Sequence, residues 1–180
     1  MATADTANAA ADPASAAADP ANTATADPER PGFLLPLLLL AGFRTLVDDL
    51  HAELARQGHA ELRPVHGFVL QAVGPAGTTA SELGHRLGVS KQAAGKTVDR
   101  LVALGYLERA DDPADARRKL IRLTDRGHDG LRRSAALFDE LRARWAQTLG
   151  EQRVSALEDD LRRVAQPNFF RLDVPGWFGT

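Results

Sequence analysis

Apolar residues return every three or four positions through most of this chain, the period of helices that bury one face. Phe43, Leu46, Val47, Leu50 and Leu54 keep that spacing as far as Gly58 and predict a helix over residues 35–57. A second helix follows Pro64, a favoured first-turn residue, with Val65, Phe68, Val69, Ala72 and Val73 inward and Gly74-Pro75 as its stop. Thr79-Ala80-Ser81-Glu82 is a capping box, in which a hydroxyl and a carboxylate each take an amide left unbonded at the helix start. The third helix that it opens turns Leu83 and Leu87 inward and halts at Gly88, and Ser90 is a good N-cap for a fourth. Helix, tight glycine turn, helix is the helix-turn-helix pattern.

The fourth helix, residues 90–104, buries Ala94, Val98, Leu101 and Leu104 and presents Lys91, Gln92, Gly95, Lys96, Asp99 and Arg100 on its other face. Residues 106–109 and 120–123 read as two short strands joined by an Asp/Pro loop that leads into Arg117, Arg118 and Lys119, a basic-tipped wing. Beyond Thr124 a long helix carries Leu131, Ala135, Phe138, Leu141, Trp145 and Leu149, and a last one carries Val154, Leu157, Leu161 and Val164. These two helices and the first have more apolar surface than the small central domain can cover. A homodimer is therefore expected, with the surplus packed against a second copy. The fold class is mainly α with a two-stranded β-wing. Residues 63–123 form a winged helix-turn-helix, and residues 33–60 and 124–165 supply N- and C-terminal dimerisation helices around it, within one domain over residues 31–165.

Composition changes this picture at the ends. Residues 1–30 are an acidic Ala/Asp/Pro/Thr leader with Ala-Asp-Pro three times over, too poor in large apolar side chains to offset ordering, and are read as disordered. Residues 166–180 form a tail whose Phe169, Phe170, Trp177 and Phe178 are too apolar for a solvated end and are expected to dock on the dimer helices. The net charge of -2 hides segregation: residues 79–132 hold eleven Lys/Arg against eight Asp/Glu, a local +3. A phosphate backbone responds to such a patch rather than to the total. With no cysteine there is no disulfide or thiolate chemistry, which fits a cytoplasmic protein. The run FLLPLLLLAGF at 33–43 is too short to span a bilayer, so no membrane association is expected.

A helix whose N-terminal end shows Lys91, Gln92 and Lys96 fits a major groove, where Lys donates to guanine, Gln pairs with adenine and the helix start favours a phosphate. Ser90 to Arg100 are accordingly the expected base-reading segment of a protein whose partner is double-stranded DNA. A hairpin at its side reaches a neighbouring minor groove, where Arg117 would read width and Asp115 would orient it, while Arg118 and Lys119 face phosphate or solvent. The stretch from Ala80 to Gly127 resembles the DNA-binding core of MarR-type regulators, most specifically in Asp115-x-Arg117 and in Leu123-Thr124-x-x-Gly127. The resemblance implies a homodimeric transcriptional regulator on a pseudo-palindromic operator, with a small organic effector bound between the DNA-binding lobe and the dimer helices. His51, Arg63, His66 and Phe68 are the expected lining of that pocket. Gly84 departs from the family's more usual alanine, which would loosen the third helix.

Catalysis finds no nucleophile motif or phosphate loop, so no enzyme and no cofactor are expected. His51, His59, His66 and Glu61 fall near one junction, with His128 further on. Their irregular spacing reads as exposed helix-end residues, not metal ligands. The alternative function is a winged-helix protein-interaction module that reads no DNA sequence.

Overall fold

The structure, a computed structural model, describes residues 31–112 and 115–165, with the side chains of 115–117 outside the description. The leader, the aromatic tail and the Asp115 and Arg117 side chains therefore lie outside the described residues. The chain divides into two units, residues 1–38 and 39–180. Helix α1 spans Leu34–Arg56. There follow α2 (Pro64–Val73), α3 (Ala80–Leu87), α4 (Lys91–Ala103), strands β1 (Leu107–Asp112) and β2 (Asp115–Leu123), α5 (Asp125–Leu149) and α6 (Glu151–Val164).

The local signals act as read. Thr79 Oγ1 accepts the Glu82 amide while the Glu82 carboxylate accepts the Thr79 amide, and Ser90 Oγ accepts the Ala93 amide. Gly88 sits at φ +67°, the left-handed geometry that lets α3 stop and α4 start within three residues. Gly84 serves this turn rather than loosening α3. A β-carbon there would lie 3.0 Å from the Val89 carbonyl oxygen, so the missing methyl is what lets the entry to α4 pass so close.

β1 and β2 pair antiparallel from Leu107 opposite Leu123 to Asp111 opposite Lys119, with an irregularity toward the tip. They are longer than the two four-residue runs, because the outer part of a hairpin is polar on both faces and carries no period-two signal. Tyr106, expected in the first strand, instead precedes it as a fully buried core residue. The segment before α3 joins the sheet through Thr78, whose amide donates to the Ile121 carbonyl and whose carbonyl accepts the Ile121 amide.

The core collects Leu54, Leu62, Val69, Leu70, Val73, Leu83, Leu87, Val98, Leu101, Tyr106, Leu107 and Ile121. Val65, expected inward on α2, is 39 % exposed, and Leu70 and His66 are buried on that helix instead. On α5 the inward line is Gly127, Gly130, Leu137 and Leu141. Of the expected stripe, Phe138 and Leu149 stay exposed in the single chain. Among the described residues no helix is long and apolar enough to cross a membrane.

Candidate nucleic-acid interface

Helix α4 turns Ala94, Val98 and Leu101 into the core, which forces Lys91, Gln92, Lys96 and Arg100 outward. Among the described residues none of these four side chains makes a hydrogen bond or ion pair within the chain. Ser90 differs: its oxygen accepts the Ala93 amide, while its proton stays available to donate. Gly95 has open space where a β-carbon would stand, so a partner can come close to the helix backbone.

The wing is wired differently. Arg118, expected to face phosphate or solvent, donates to Glu82 on α3 at 3.1 Å and lies 3.7 Å from Asp112. Lys119 pairs with Asp111 across the hairpin. Arg109 on β1 donates to Asp99 on α4 at 2.6 Å. Thr79, Ser81, Glu82, Lys91, Arg109, Arg118 and Lys119 thus line one recess between the helix-turn-helix and the wing. Glu82 and Asp99 carry no local signal as partners of the wing, because each pairs with a residue ten or more positions away.

A polar cluster anchors the wing base to α5. His59 is buried, not exposed; its Nδ1 lies 2.9 Å from the Tyr106 hydroxyl and its Nε2 3.0 Å from Asp129. Arg126 stacks on the Tyr106 ring and also donates to the Tyr106 hydroxyl, the Gly58 carbonyl and Glu61. Burial, more than any charge, holds the Tyr106 hydroxyl protonated beyond its ordinary range. Hydrogen bonds from Arg133 and then His59 hold Asp129 ionised well below the usual carboxylate range.

The sequence-predicted effector residues divide. His51 and Phe68 line a cleft of about 170 Å³ between α1, α2 and α5, together with apolar residues such as Phe43, Leu50 and Phe138. Arg63 and His66 do not line it. Arg63 stands at the N-cap position of α2 without a side-chain cap bond; its guanidinium donates to the Ala60 and Leu62 carbonyls of the preceding loop, and its amide donates to His66 Nδ1. His66 is buried because that bond satisfies it, a role that spacing alone does not reveal. Gln71 and Ser134 add polar groups to the cleft, and His51 Nδ1, itself buried, has no hydrogen-bond partner among the described residues. Among the described residues no cluster of His, Cys, Asp or Glu has the geometry to hold a metal ion.

Burial comes first, and the Arg63 charge second, in lowering the proton affinity of both His51 and His66 below the ordinary histidine value of 6.5. When the folded form resists protonation, the unfolded chain takes up protons first as pH falls, so stability is full above the unfolded value and declines below it. The melting temperature is expected to drop by a few degrees between pH 7.5 and pH 5.5 (values of order set by the histidine range of about 6.5). Thermal unfolding monitored by circular dichroism checks this, and His66→Gln should flatten the dependence.

Comparison with known proteins agrees with this architecture. A model of the MarR family matches residues 53–118. The reduced form of MarR from E. coli is similar at 27 % identity and TM-score 0.61, covering 73 % of this chain and 96 % of that one. A MepR variant from S. aureus, bound to an oligodeoxyribonucleotide, is similar at 18 % identity and TM-score 0.53, covering 72 % and 94 %. CouR from Rhodococcus jostii, bound to p-coumaroyl-CoA, is similar at 24 % identity and TM-score 0.55, covering 74 % and 92 %. No curated protein matches by sequence.

Proposed function

We propose that this chain, which a MarR-family model matches over residues 53–118 and which is similar in fold to MarR from E. coli, is a homodimeric, sequence-specific DNA-binding repressor released by a small organic effector. The observation that carries the reading is the contrast on the basic face: Lys91, Gln92, Lys96 and Arg100 stand exposed on α4, free of internal partners among the described residues, beside a wing whose Arg109, Arg118 and Lys119 are each held in an ion pair. A protein-interaction module would profit from apolar residues on that face. In the proposed complex, Ser90, Lys91 and the α4 amides take phosphates, Gln92 and Lys96 meet base edges, and Arg100, Arg118 and Lys119 flank them. The Asp115 and Arg117 pair enters the minor groove. That the MepR variant binds an oligodeoxyribonucleotide supports this use of the fold.

Exposed Leu39, Leu40, Phe43, Phe138, Leu149 and Leu157 supply the apolar face for a second copy. Two copies would set their α4 helices about one DNA turn apart, roughly 34–36 Å. Selection from a random duplex library tests the whole: enrichment of a pseudo-palindrome with that half-site spacing supports the repressor, and recovery of no motif favours the interaction module.

The cleft is the proposed effector site, as the ligand held by CouR supports. Its volume suits a ring-sized apolar molecule, and the unpartnered His51 Nδ1 selects one that brings a hydroxyl, which can donate to or accept from either tautomer. A bound ligand regulates only if it favours a dimer whose α4 helices are wrongly spaced. His51→Leu should remove an unsatisfied buried atom, leave the fold at least as stable, and weaken binding of single-ring phenols by about ten-fold, the order of one lost hydrogen bond. Ligand-induced thermal shifts read this, and equal shifts in both proteins would remove His51 from the site.

A further inference from the structure

Glu82 does two jobs with two oxygens. Oε2 accepts the Thr79 amide at 3.0 Å and the Thr78 hydroxyl at 3.1 Å, completing the cap of α3, while Oε1 accepts Arg118 of the wing at 3.1 Å. The backbone bridge between Thr78 and Ile121 already fastens α3 to the base of the wing. Arg118 lies three residues beyond Ile121 along β2, so the side-chain contact carries the fastening about 10 Å further toward the tip. On the other strand Arg109 is drawn to Asp99 of α4. The pair of Glu82 and Arg118 is about half exposed on both sides. Such a pair adds little to stability, yet a competing anion must still break it to reach Arg118. The strongest competitor available on that face is a DNA phosphate.

We propose that Glu82 is a positioning and specificity-determining residue: it holds Arg118 against α3, keeping the wing aligned with α4 and withholding one cation from phosphates of DNA at random. This rests on the DNA-binding reading above. On the operator the wing tip lies in its groove in the aligned position, so the clasp stays closed at little loss. On random DNA a freed guanidinium would find a phosphate anywhere, and the closed clasp denies it that contact.

Glu82→Gln separates the two jobs, since glutamine keeps an oxygen for the Thr79 amide but loses the charge that holds Arg118. Without DNA, the amides of Lys119 and Leu120 should exchange about two- to five-fold faster in this variant, the effect expected for losing one exposed pair. With DNA, affinity for a scrambled duplex should rise about three-fold and its log–log salt slope steepen by about 0.9, one further phosphate neutralised. Operator affinity should change less, so the ratio of the two falls. In an Arg118→Gln background, Glu82→Gln should alter none of these. An undiminished effect in that background would mean that Glu82 acts only through the general field, and unchanged amide exchange would mean that no clasp exists; either overturns the proposal while leaving the DNA-binding reading intact. A wild-type protein that prefers no duplex overturns that reading, and this role with it.

Discussion

Gly127→Ala should destabilise the protein by about 3 kcal/mol or more, although alanine is by far the better helix former. Gly127 is buried in the first turn of α5, where its amide donates to the Thr124 hydroxyl oxygen. A β-carbon there would fall well inside contact distance of the Tyr106 carbonyl oxygen and 3.1 Å from a Leu123 methyl. Neither neighbour can yield alone. The Tyr106 carbonyl accepts the Thr124 amide, and the Thr124 hydroxyl donates to the Gly105 carbonyl at 2.6 Å. The whole start of α5 must shift away from the wing base, loosening Arg126 on Tyr106 and Asp129 on His59 together. Gly95→Ala is the matched control, since nothing stands within 4 Å of its added carbon. There the helix gain of about 0.5–1 kcal/mol should appear as higher stability. Urea denaturation of the two variants reads both signs, and a Gly127→Ala loss below about 1 kcal/mol would mean that α5 and the wing base are not packed as described.

The second large effect belongs to the exposed face of α4. Gln92→Ala should cost about 1–3 kcal/mol of operator affinity and almost none on random DNA, because a neutral side chain releases no counterion. Lys96→Ala should weaken both, and lower the salt slope by about one if it touches phosphate. The combined replacement of Lys91, Gln92 and Lys96 should lower operator affinity by at least about 100-fold, taking one good contact at about 1–3 kcal/mol. The fold should survive, since all three side chains are exposed and alanine suits a helix. Titrations on both duplexes at several salt concentrations measure this. An equal loss on both for Gln92→Ala would remove it from base reading.

Much of this architecture is legible in the chain because its signals are local. A hydroxyl and a carboxylate three residues apart at 79 and 82, a serine at 90 and a glycine at 88 each fix a helix end within one turn. The outward set on α4 follows directly from the inward one. Long-range partners carry no such signal. His59 meets Tyr106 and Asp129 across 47 and 70 residues, and nothing in its neighbourhood separates it from an exposed histidine. His66 escaped for a different reason: its partner is near, the Arg63 amide three residues back, but a backbone amide is a group that any residue supplies. On α5 two apolar lines compete, and which one faces inward depends on the small Gly127 and Gly130 letting the wing base approach. The effector cleft was half legible: His51 and Phe68 were placed by their junction, whereas Gln71 and Ser134 meet there only through the packing of α2 on α5.

The most direct test of the account is a fluorescence-anisotropy titration of the purified protein against DNA from upstream of its own gene, beside scrambled DNA of equal length, at two salt concentrations. The account predicts tight binding to the first with two chains per duplex, and a preference over the scrambled duplex that persists at the higher salt. Weak binding that is equal on both duplexes and vanishes at the higher salt, repeated on duplexes drawn from the random-library selection, would contradict it.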